Sequence, residues 1–324
     1  MMSIYGVMGD PVEHSLSPPM HAAAYESTGV EATYLRFRVE EGNVKEAVHG
    51  ASALGIDGLN VTVPHKGTVA ALPSVELDET AERIGAVNTL VFGNESDDAE
   101  ELSAEEDTDG DAENENSNGD EKPVARGYNT DASGALRALE RKTEVSGKEA
   151  VLVGAGGAAR AIAFALAGEG ATVDIVNRTV ERAEKLADEV NEAVGNTDDT
   201  EADELDEEMS DVGGDEETKT ATAQPLDALE DVVPDADIVV NATTVGMEED
   251  VSPVPADALR PHHVVFDAVY TPLETRLVRD AEEVGATTVD GAWMLVYQGA
   301  EAFEIWTGKT APVEKMNAAL REKL

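Results

Sequence analysis

Val151-Leu152-Val153-Gly154-Ala155-Gly156-Gly157-Ala158-Ala159-Arg160 decides how this 324-residue chain is read. A run of branched apolar residues, the composition of a buried parallel strand, passes through a glycine-rich turn straight into an alanine-rich helix. Gly154 permits the tight turn, and Gly156 lets the backbone approach a pyrophosphate. Ala159 is the third small position, where helix packs on sheet. A bare Gly-x-Gly-x-x-Ala is a weak signal. Here the helix runs to about residue 170 and a second strand covers 172–176, the spacing of one βαβ unit. The stretch therefore implies a dinucleotide site.

The second strand ends in Asn177-Arg178-Thr179, where a site selective for a free ribose 2′-hydroxyl places Asp or Glu. A neutral Asn followed by Arg suits a 2′-phosphate by charge and by the bidentate geometry of guanidinium. Arg182, four residues on, reaches the same side of the following helix. Downstream, residues 237–247 are a buried strand leading into a polar loop that contains Thr243, at the nicotinamide end of such a fold. A strand over 264–270 follows, then a helix from 271–272 carrying Arg276, and a last strand and turn over 287–291. Two helices, 294–306 and 312–323, close the chain. Gln298 lies among apolar residues of the first, where it either completes a helix pairing or faces a site.

Upstream, the pattern is again strands alternating with helices: strands over 4–8, 32–39, 60–63 and 86–92, helices from Ser17 to about 29, over 43–54 and from about 68. This is an α/β layer architecture. Asn60-Val61-Thr62-Val63-Pro64-His65-Lys66 alternates like a half-buried strand and stops at a proline that cannot donate to a ladder. Lys66 stands just past that end, either a solvated charge or a proton-transfer group. Ser15 and Ser17 enter a helix with Pro18 at its first position. Ser17 reads as a cap, and both serines also lie where exposed N–H groups would hold a carboxylate. Asp131, after Asn129-Thr130, opens another helix as a cap or as a functional acid.

Sixty-eight Asp and Glu against 23 Lys and Arg give a net charge of −45. Such a field repels nucleic acid and anionic membranes. Part of the excess lies in acidic low-complexity insertions at 94–122 and 191–219, the first an overgrown hairpin tip. The rest covers clear helices. Self-repulsion of this size is screened at molar salt, where the Debye length falls to about 3 Å, so the composition implies adaptation to a salt-rich cytoplasm. Full activity in dilute buffer would contradict that. The absence of cysteine excludes disulfides and thiolate metal sites. The histidines lack zinc-type spacing, and no metal is expected. Residues 1–10 lack the basic flank and apolar core of a signal peptide, and no segment approaches ~18 apolar residues, so a cytoplasmic protein with no membrane partner is expected.

With NVTVPHK, HSLSP, AVNTL, GYNTD, VGAGGAAR, NRT, NAT–GM and DGAWMLVYQGAEAFEIWTG in this order, nearly the whole chain outside the insertions resembles the shikimate dehydrogenase family. The resemblance implies reversible reduction of 3-dehydroshikimate to shikimate with NADP(H). It implies Lys66 and Asp131 as the catalytic pair, Ser15 and Ser17 on the substrate carboxylate, and Asn60, Thr62, Asn88 and Gln298 on ring substituents. Tyr270 would lie near the same pocket. Gly154, Ala155, Gly156, Gly157 and Ala158 would take the pyrophosphate and Asn177, Arg178, Thr179 and Arg182 the 2′-phosphate, with Thr243, Val269, Gly291 and Met294 near nicotinamide. Trp293 departs from members that have glycine there. Two α/β domains follow: a Rossmann domain over 131–289, inserted into a discontinuous substrate domain of 1–130 plus 290–324. A homodimer is allowed but not specified. The rival readings are a quinate or NAD-dependent enzyme of the same family, and a dinucleotide-binding regulator without the chemistry.

Overall fold

Period-two runs of branched and aromatic residues build the first sheet. Strand β1 (Ser3–Gly9) pairs in parallel with β2 (Ala32–Arg38) on one side and β3 (Gly58–Val61) on the other. The computed structural model describes residues 2–93, 123–195 and 219–324. With β4 (Val75–Leu77), β5 (Thr89–Phe92) and β6 (Ala125–Tyr128), the sheet order is β2-β1-β3-β5-β6-β4. The pairs β3/β5 and β5/β6 are antiparallel, the remainder parallel. Helices α1 (Ser17–Thr28), α2 (Val44–Ala53), α3 (Lys66–Ala70) and α4 (Glu79–Ile84) intervene. Met8, Val48, Leu59, Val61, Val69 and Leu90 form the core of this unit. Each such side chain contributes ~1.5–3 kcal/mol by leaving water.

The second sheet is wholly parallel, in the order β12-β11-β10-β7-β8-β9. Its strands are β7 (Glu149–Val153), β8 (Thr172–Val176), β9 (Ala221–Gln224), β10 (Ile238–Asn241), β11 (Val264–Asp267) and β12 (Thr287–Asp290). Its helices are α5 (Thr130–Glu140), α6 (Gly157–Gly168), α7 (Val180–Gly195), the single turn α8 (Leu229–Val232), α9 (Arg276–Glu283), α10 (Gly291–Thr307) and α11 (Val313–Arg321). Both faces are covered, as a parallel sheet requires. Leu152, Ile175, Val240 and Phe266 pack on one side, and Val151, Val153, Val239 and Val265 on the other. Strand order reverses between β7 and β10, the switch point beside which doubly wound sheets bind ligands.

Contacts divide the chain into Met1–Pro18, Gly29–Asn129 and Ile305–Thr307 as one unit, and Pro19–Thr28, Thr130–Glu304 and Gly308–Leu324 as the other. The C-terminal helices thus stay largely with the Rossmann sheet, where the sequence placed them with the substrate domain. Small residues are the reason. A Cβ on Gly134 of α5 would come 2.9 Å from the Gln298 amide of α10, and one on Gly299 would collide with Met20 of α1. Only the last turn of α10 joins the first unit. There the Trp306 indole stacks on Tyr5 at 4.8 Å, donates to the Leu90 carbonyl at 3.0 Å and fills the space beside Gly58.

Several boundaries differ from expectation. The strand over 60–63 stops at Val61, because the Thr62 amide turns to the Met8 carbonyl and the Val63 carbonyl takes the Asp10 amide. Val63 is consequently 66% exposed. β4 and α4 were not legible. The strand is too short to show a period, although Asp78 accepting from the Ala81 amide and Gly85 at φ 67° punctuate the helix. Strand β5 begins at Thr89 and leaves 86–88 as loop. β11 ends at Asp267, and α9 starts at Arg276 behind its cap Thr275 rather than at 271–272. Residues 191–195 belong to α7, not to the acidic insertion, since the Asn191 side chain clips that helix to Ala221 with two 2.8 Å hydrogen bonds. Gly291, read as the turn after the last strand, is the first residue of α10. Phe92 lies opposite Ala125 in antiparallel register, so the first insertion occupies a hairpin connection as expected. Residues 94–122 and 196–218 themselves lie outside the described residues.

Two histidines make the fold acid-sensitive. Burial depresses His21 to a pKa of about 3, and burial with the charge of His262 depresses His263 to about 4. The unfolded chain binds these protons from about pH 6.5 downwards, so the stability is intact above that pH and declines as pH falls towards the folded values. By pH 5 each site has lost ~2 kcal/mol. Urea midpoints at constant molar salt should fall between pH 7 and 5. His263→Gln should flatten that slope; an unchanged slope would remove His263 as a cause.

Candidate active site

In the first unit, Ser15 before α1 and Ser17 at its first residue meet the face of β2. The Ser15 hydroxyl accepts from the Ser17 amide at 3.3 Å, and the Arg36 guanidinium holds the Ser15 carbonyl at 2.6 Å. Tyr34, two residues before Arg36 and on the same strand face, donates its hydroxyl to Asn60 Oδ1 at 2.6 Å. Burial pushes that phenol far above its ordinary range, and the neighbouring Ser17 side chain pulls it back a little. Asn60 in turn donates to Thr89 Oγ1 at 3.0 Å and to the Asn88 carbonyl at 3.3 Å. Ser15, Ser17, Asn60 and Asn88 therefore form one connected patch. Thr62 stands at the end of β3 with its methyl against Gly9. Lys66 opens α3, half-buried, and its carbonyl accepts from the Val87 amide at 3.0 Å, one residue before Asn88. His65 before it is 1% exposed, its ring nitrogen 2.6 Å from the Val39 carbonyl.

Asp131 belongs to the other unit. It lies in the first turn of α5, 3% exposed and one turn before Gly134, the point where α5 touches the backbone of Gln298. Tyr270, in the loop after β11, is partly buried, which raises its hydroxyl pKa.

The glycine turn sits at the switch point. Gly154 has φ +121°, and a Cβ there would press on the Ala242 carbonyl and the Thr243 methyl, each at 3.1 Å. Ala155 follows, half-buried. A Cβ on Gly156 or Gly157 would meet nothing within 4 Å. That open space lies at the N-terminus of α6, which begins Gly157-Ala158 and whose first N–H groups have no intrahelical acceptor. The cradle therefore fits a pyrophosphate. At the end of β8 the Asn177 amide donates to the Thr179 carbonyl at 2.8 Å, shaping the turn that presents Arg178. Arg178 and Arg182 are exposed. Among the described residues, every other arginine side chain has a hydrogen-bond, ion-pair or ring partner, and these two have none. Such unpaired guanidinia in so acidic a chain fit a phosphate.

The loops after β10 and β11 are held by a buried network that the sequence reading missed. Asn241 and Asp267 are paired in register, both 0% exposed, with Asn241 Nδ2 donating to Asp267 Oδ1 at 2.9 Å. The Thr243 hydroxyl donates to Asn241 Oδ1 at 2.7 Å, while the Val269 amide and the Thr275 hydroxyl donate to Asp267 at 3.0 and 2.6 Å. Burial raises the Asp267 pKa, and these donors pull it back. Val269 is itself buried, and Gly291 is required where α10 passes 2.6 Å, Cβ to oxygen, from the Val269 carbonyl. Met294 lies in the core cluster. Trp293 turns to α5 and α11, with the Arg141 guanidinium 3.5 Å over its ring. Two apolar strands that each end in a polar residue, Val-Val-Asn and Val-Phe-Asp, were the available signal. Tyr34 and Arg36 were legible too, as alternate residues of one strand face. No group of side chains suited to a metal ion exists among the described residues.

Three family descriptions match: the shikimate dehydrogenase substrate binding domain over residues 7–90, shikimate/quinate 5-dehydrogenase over 137–212, and the shikimate 5′-dehydrogenase C-terminal domain over 291–321. Shikimate dehydrogenase (NADP(+)) of Halorubrum lacusprofundi is 50% identical over 325 residues, covering all of both chains. The chain belongs to the shikimate dehydrogenase family. The Natronomonas pharaonis member of the same name is 48% identical over 323 residues, again covering both chains completely. Among solved structures, a shikimate dehydrogenase in complex with NADP+ superposes with a TM-score of 0.80 at 38% identity, covering 99% of this chain and 96% of that one. The Thermus thermophilus shikimate 5-dehydrogenase with NADP(H) and shikimate gives 0.76 at 32% identity, covering both chains fully. A quinate dehydrogenase from Corynebacterium glutamicum in complex with NAD gives 0.78 at 29% identity, covering 99% of each chain, so the fold is shared across substrates.

Proposed function

We propose that this chain is an NADP-dependent shikimate dehydrogenase, reducing 3-dehydroshikimate reversibly to shikimate in the route to aromatic amino acids. Full-length identity of 48–50% to enzymes named for that reaction and cofactor carries the reading. The guanidinia of Arg178 and Arg182, which have no partner among the described residues, support NADP over NAD. Bound NADPH supplies the hydride. Lys66 gives a proton to the substrate oxygen on reduction and takes it back on oxidation, with Asp131 as its charge partner. Ser15 and Ser17 hold the carboxylate, while Thr62, Asn88 and Gln298 bind ring hydroxyls and Tyr270 borders the pocket. The helix start at Gly156–Ala158 holds the pyrophosphate.

No helix among the described residues is long and apolar enough to cross a membrane. Together with the charge, this supports the cytoplasm of a salt-rich cell as the place of action. The test is a spectrophotometric assay in molar KCl: shikimate with NADP+ should exceed quinate with NADP+, and shikimate with NAD+, in kcat/KM. A preference for quinate or for NAD+ would assign the chain to another branch of its family. No turnover of either acid would leave a dinucleotide-binding protein.

A further inference from the structure

The loops after β10 and β11 are tied to one another by side chains whose roles the backbone fixes. The Val245 carbonyl can only accept, so the Asn241 group 3.1 Å from it is the amide nitrogen. The Thr243 amide can only donate, so the Asn241 oxygen takes it at 3.0 Å, together with the Thr243 hydroxyl at 2.7 Å. The second Asn241 hydrogen crosses to Asp267 Oδ1 at 2.9 Å. That oxygen also accepts the Val269 amide at 3.0 Å, and Oδ2 accepts the Thr275 hydroxyl at 2.6 Å. The Thr275 oxygen in turn caps α9 through the Val278 amide at 3.3 Å. Thr243 spends its hydroxyl within its own loop, where the oxygen accepts the Val245 amide at 3.1 Å.

Asp267 is fully buried, and among the described residues no cation faces it. A carboxylate so placed is costly unless its hydrogen bonds are complete. Moving either loop alone would take a donor from it, so both loops and the start of α9 are held as one body. The same loops border the cofactor cradle. Gly154 of the glycine turn packs on Ala242 and Thr243, and Gly291 of α10 on the Ala268 and Val269 carbonyls. The pyrophosphate cradle lies at α6, and Arg178 and Arg182 lie beyond β8. The other half of a dinucleotide therefore belongs on the β10 side of the switch point, where these loops are. We propose that Asn241, Asp267 and Thr275 are positioning residues that couple the two loops in advance, so that nicotinamide meets a preformed surface. This rests on the NADP-dependent reading and deepens it. Thr243 and Val269, expected beside nicotinamide, are set there by three side chains on residues at most 2% exposed.

The test is calorimetry in molar KCl with NADP+ and with adenosine 2′,5′-bisphosphate, which carries the 2′-phosphate but no nicotinamide. Thr275→Val removes the hydroxyl that reaches Asp267, and Thr275→Ser restores it. Thr275→Val should weaken NADP+ about tenfold, the size of one hydrogen bond to a charged group, and leave the bisphosphate within about twofold. Thr275→Ser should bring NADP+ back to within about threefold of wild type. Asp267→Asn keeps an oxygen for Asn241 and Val269 but turns an N–H group on Thr275, and should show the same split. A purely structural role would lower the melting temperature and leave both dissociation constants alone, or weaken both ligands alike. Either result overturns the positioning role. Hydrogen exchange of the wild-type chain tests the coupling without a variant that must fold. NADP+ should slow exchange across 243–245 and 269–275 by similar factors, and the bisphosphate should slow neither. Protection of one loop without the other overturns the coupling. None of these measurements uses turnover. A chain that shows the split without oxidising shikimate supports the positioning role and removes the proposed activity, and one that binds neither ligand removes both.

Discussion

Lys66→Ala lowers kcat for shikimate oxidation by about 10²–10⁴, the range of a positioned acid–base group, while the NADP+ dissociation constant stays at the wild-type value. The backbone argues for an effect of that size. Lys66 follows a histidine that is 1% exposed and ring-bonded to Val39, and its own carbonyl is tied to Val87. Its Cα is held from both sides, so little ordering remains when the ammonium meets substrate. Asp131→Asn, isosteric and in the first turn of α5, should also reduce kcat by more than tenfold. Stopped-flow and steady-state rates in molar KCl measure both. A Lys66→Ala enzyme within a few-fold of wild type would take the proton transfer away from this residue.

The second large effect is on cofactor choice. Each charge-assisted hydrogen bond to a phosphate is worth ~1.5–3 kcal/mol, about ten- to a hundredfold. Removing two guanidinia with Arg178→Ala and Arg182→Ala should therefore lower kcat/KM for NADP+ by about 10²–10³. NAD+ has no 2′-phosphate and should change by less than about threefold. The discrimination ratio is the quantity to report, because screening in molar salt weakens exposed charge pairs. Equal losses with both cofactors would mean that the arginines support the fold of α7 and not the 2′-phosphate.

How far the sequence carried depended on whether a signal was local. The glycine turn was legible because strand, turn and helix are contiguous, and φ +121° at Gly154 is the local demand that glycine meets. Arg178 and Arg182 stood out by charge alone. The networks were not legible, since Tyr34 and Asn60 are joined only when β1 lies between β2 and β3. Asn241 and Asp267 meet only through the register of β10 with β11. Helix starts at 271–272 and the strand through 63 failed because tertiary hydrogen bonds, to Asp267 and to Asp10, overrode local patterns. The allegiance of α10 was hidden for the same reason: Gly134 and Gly299 show their use only once Gln298 and Met20 are in place beside them.

That helix bears on how the protein is made. The N-terminal unit cannot bury Tyr5 or close over Gly58 until Trp306 arrives, and Trp306 follows Tyr5 by 301 residues. Domains synthesised first ordinarily fold first. Here the strands that carry Tyr5 and Gly58 must wait for residue 306, with an apolar surface uncovered in the interval. A chain of this charge has in its own carboxylates a means of keeping such half-finished copies apart.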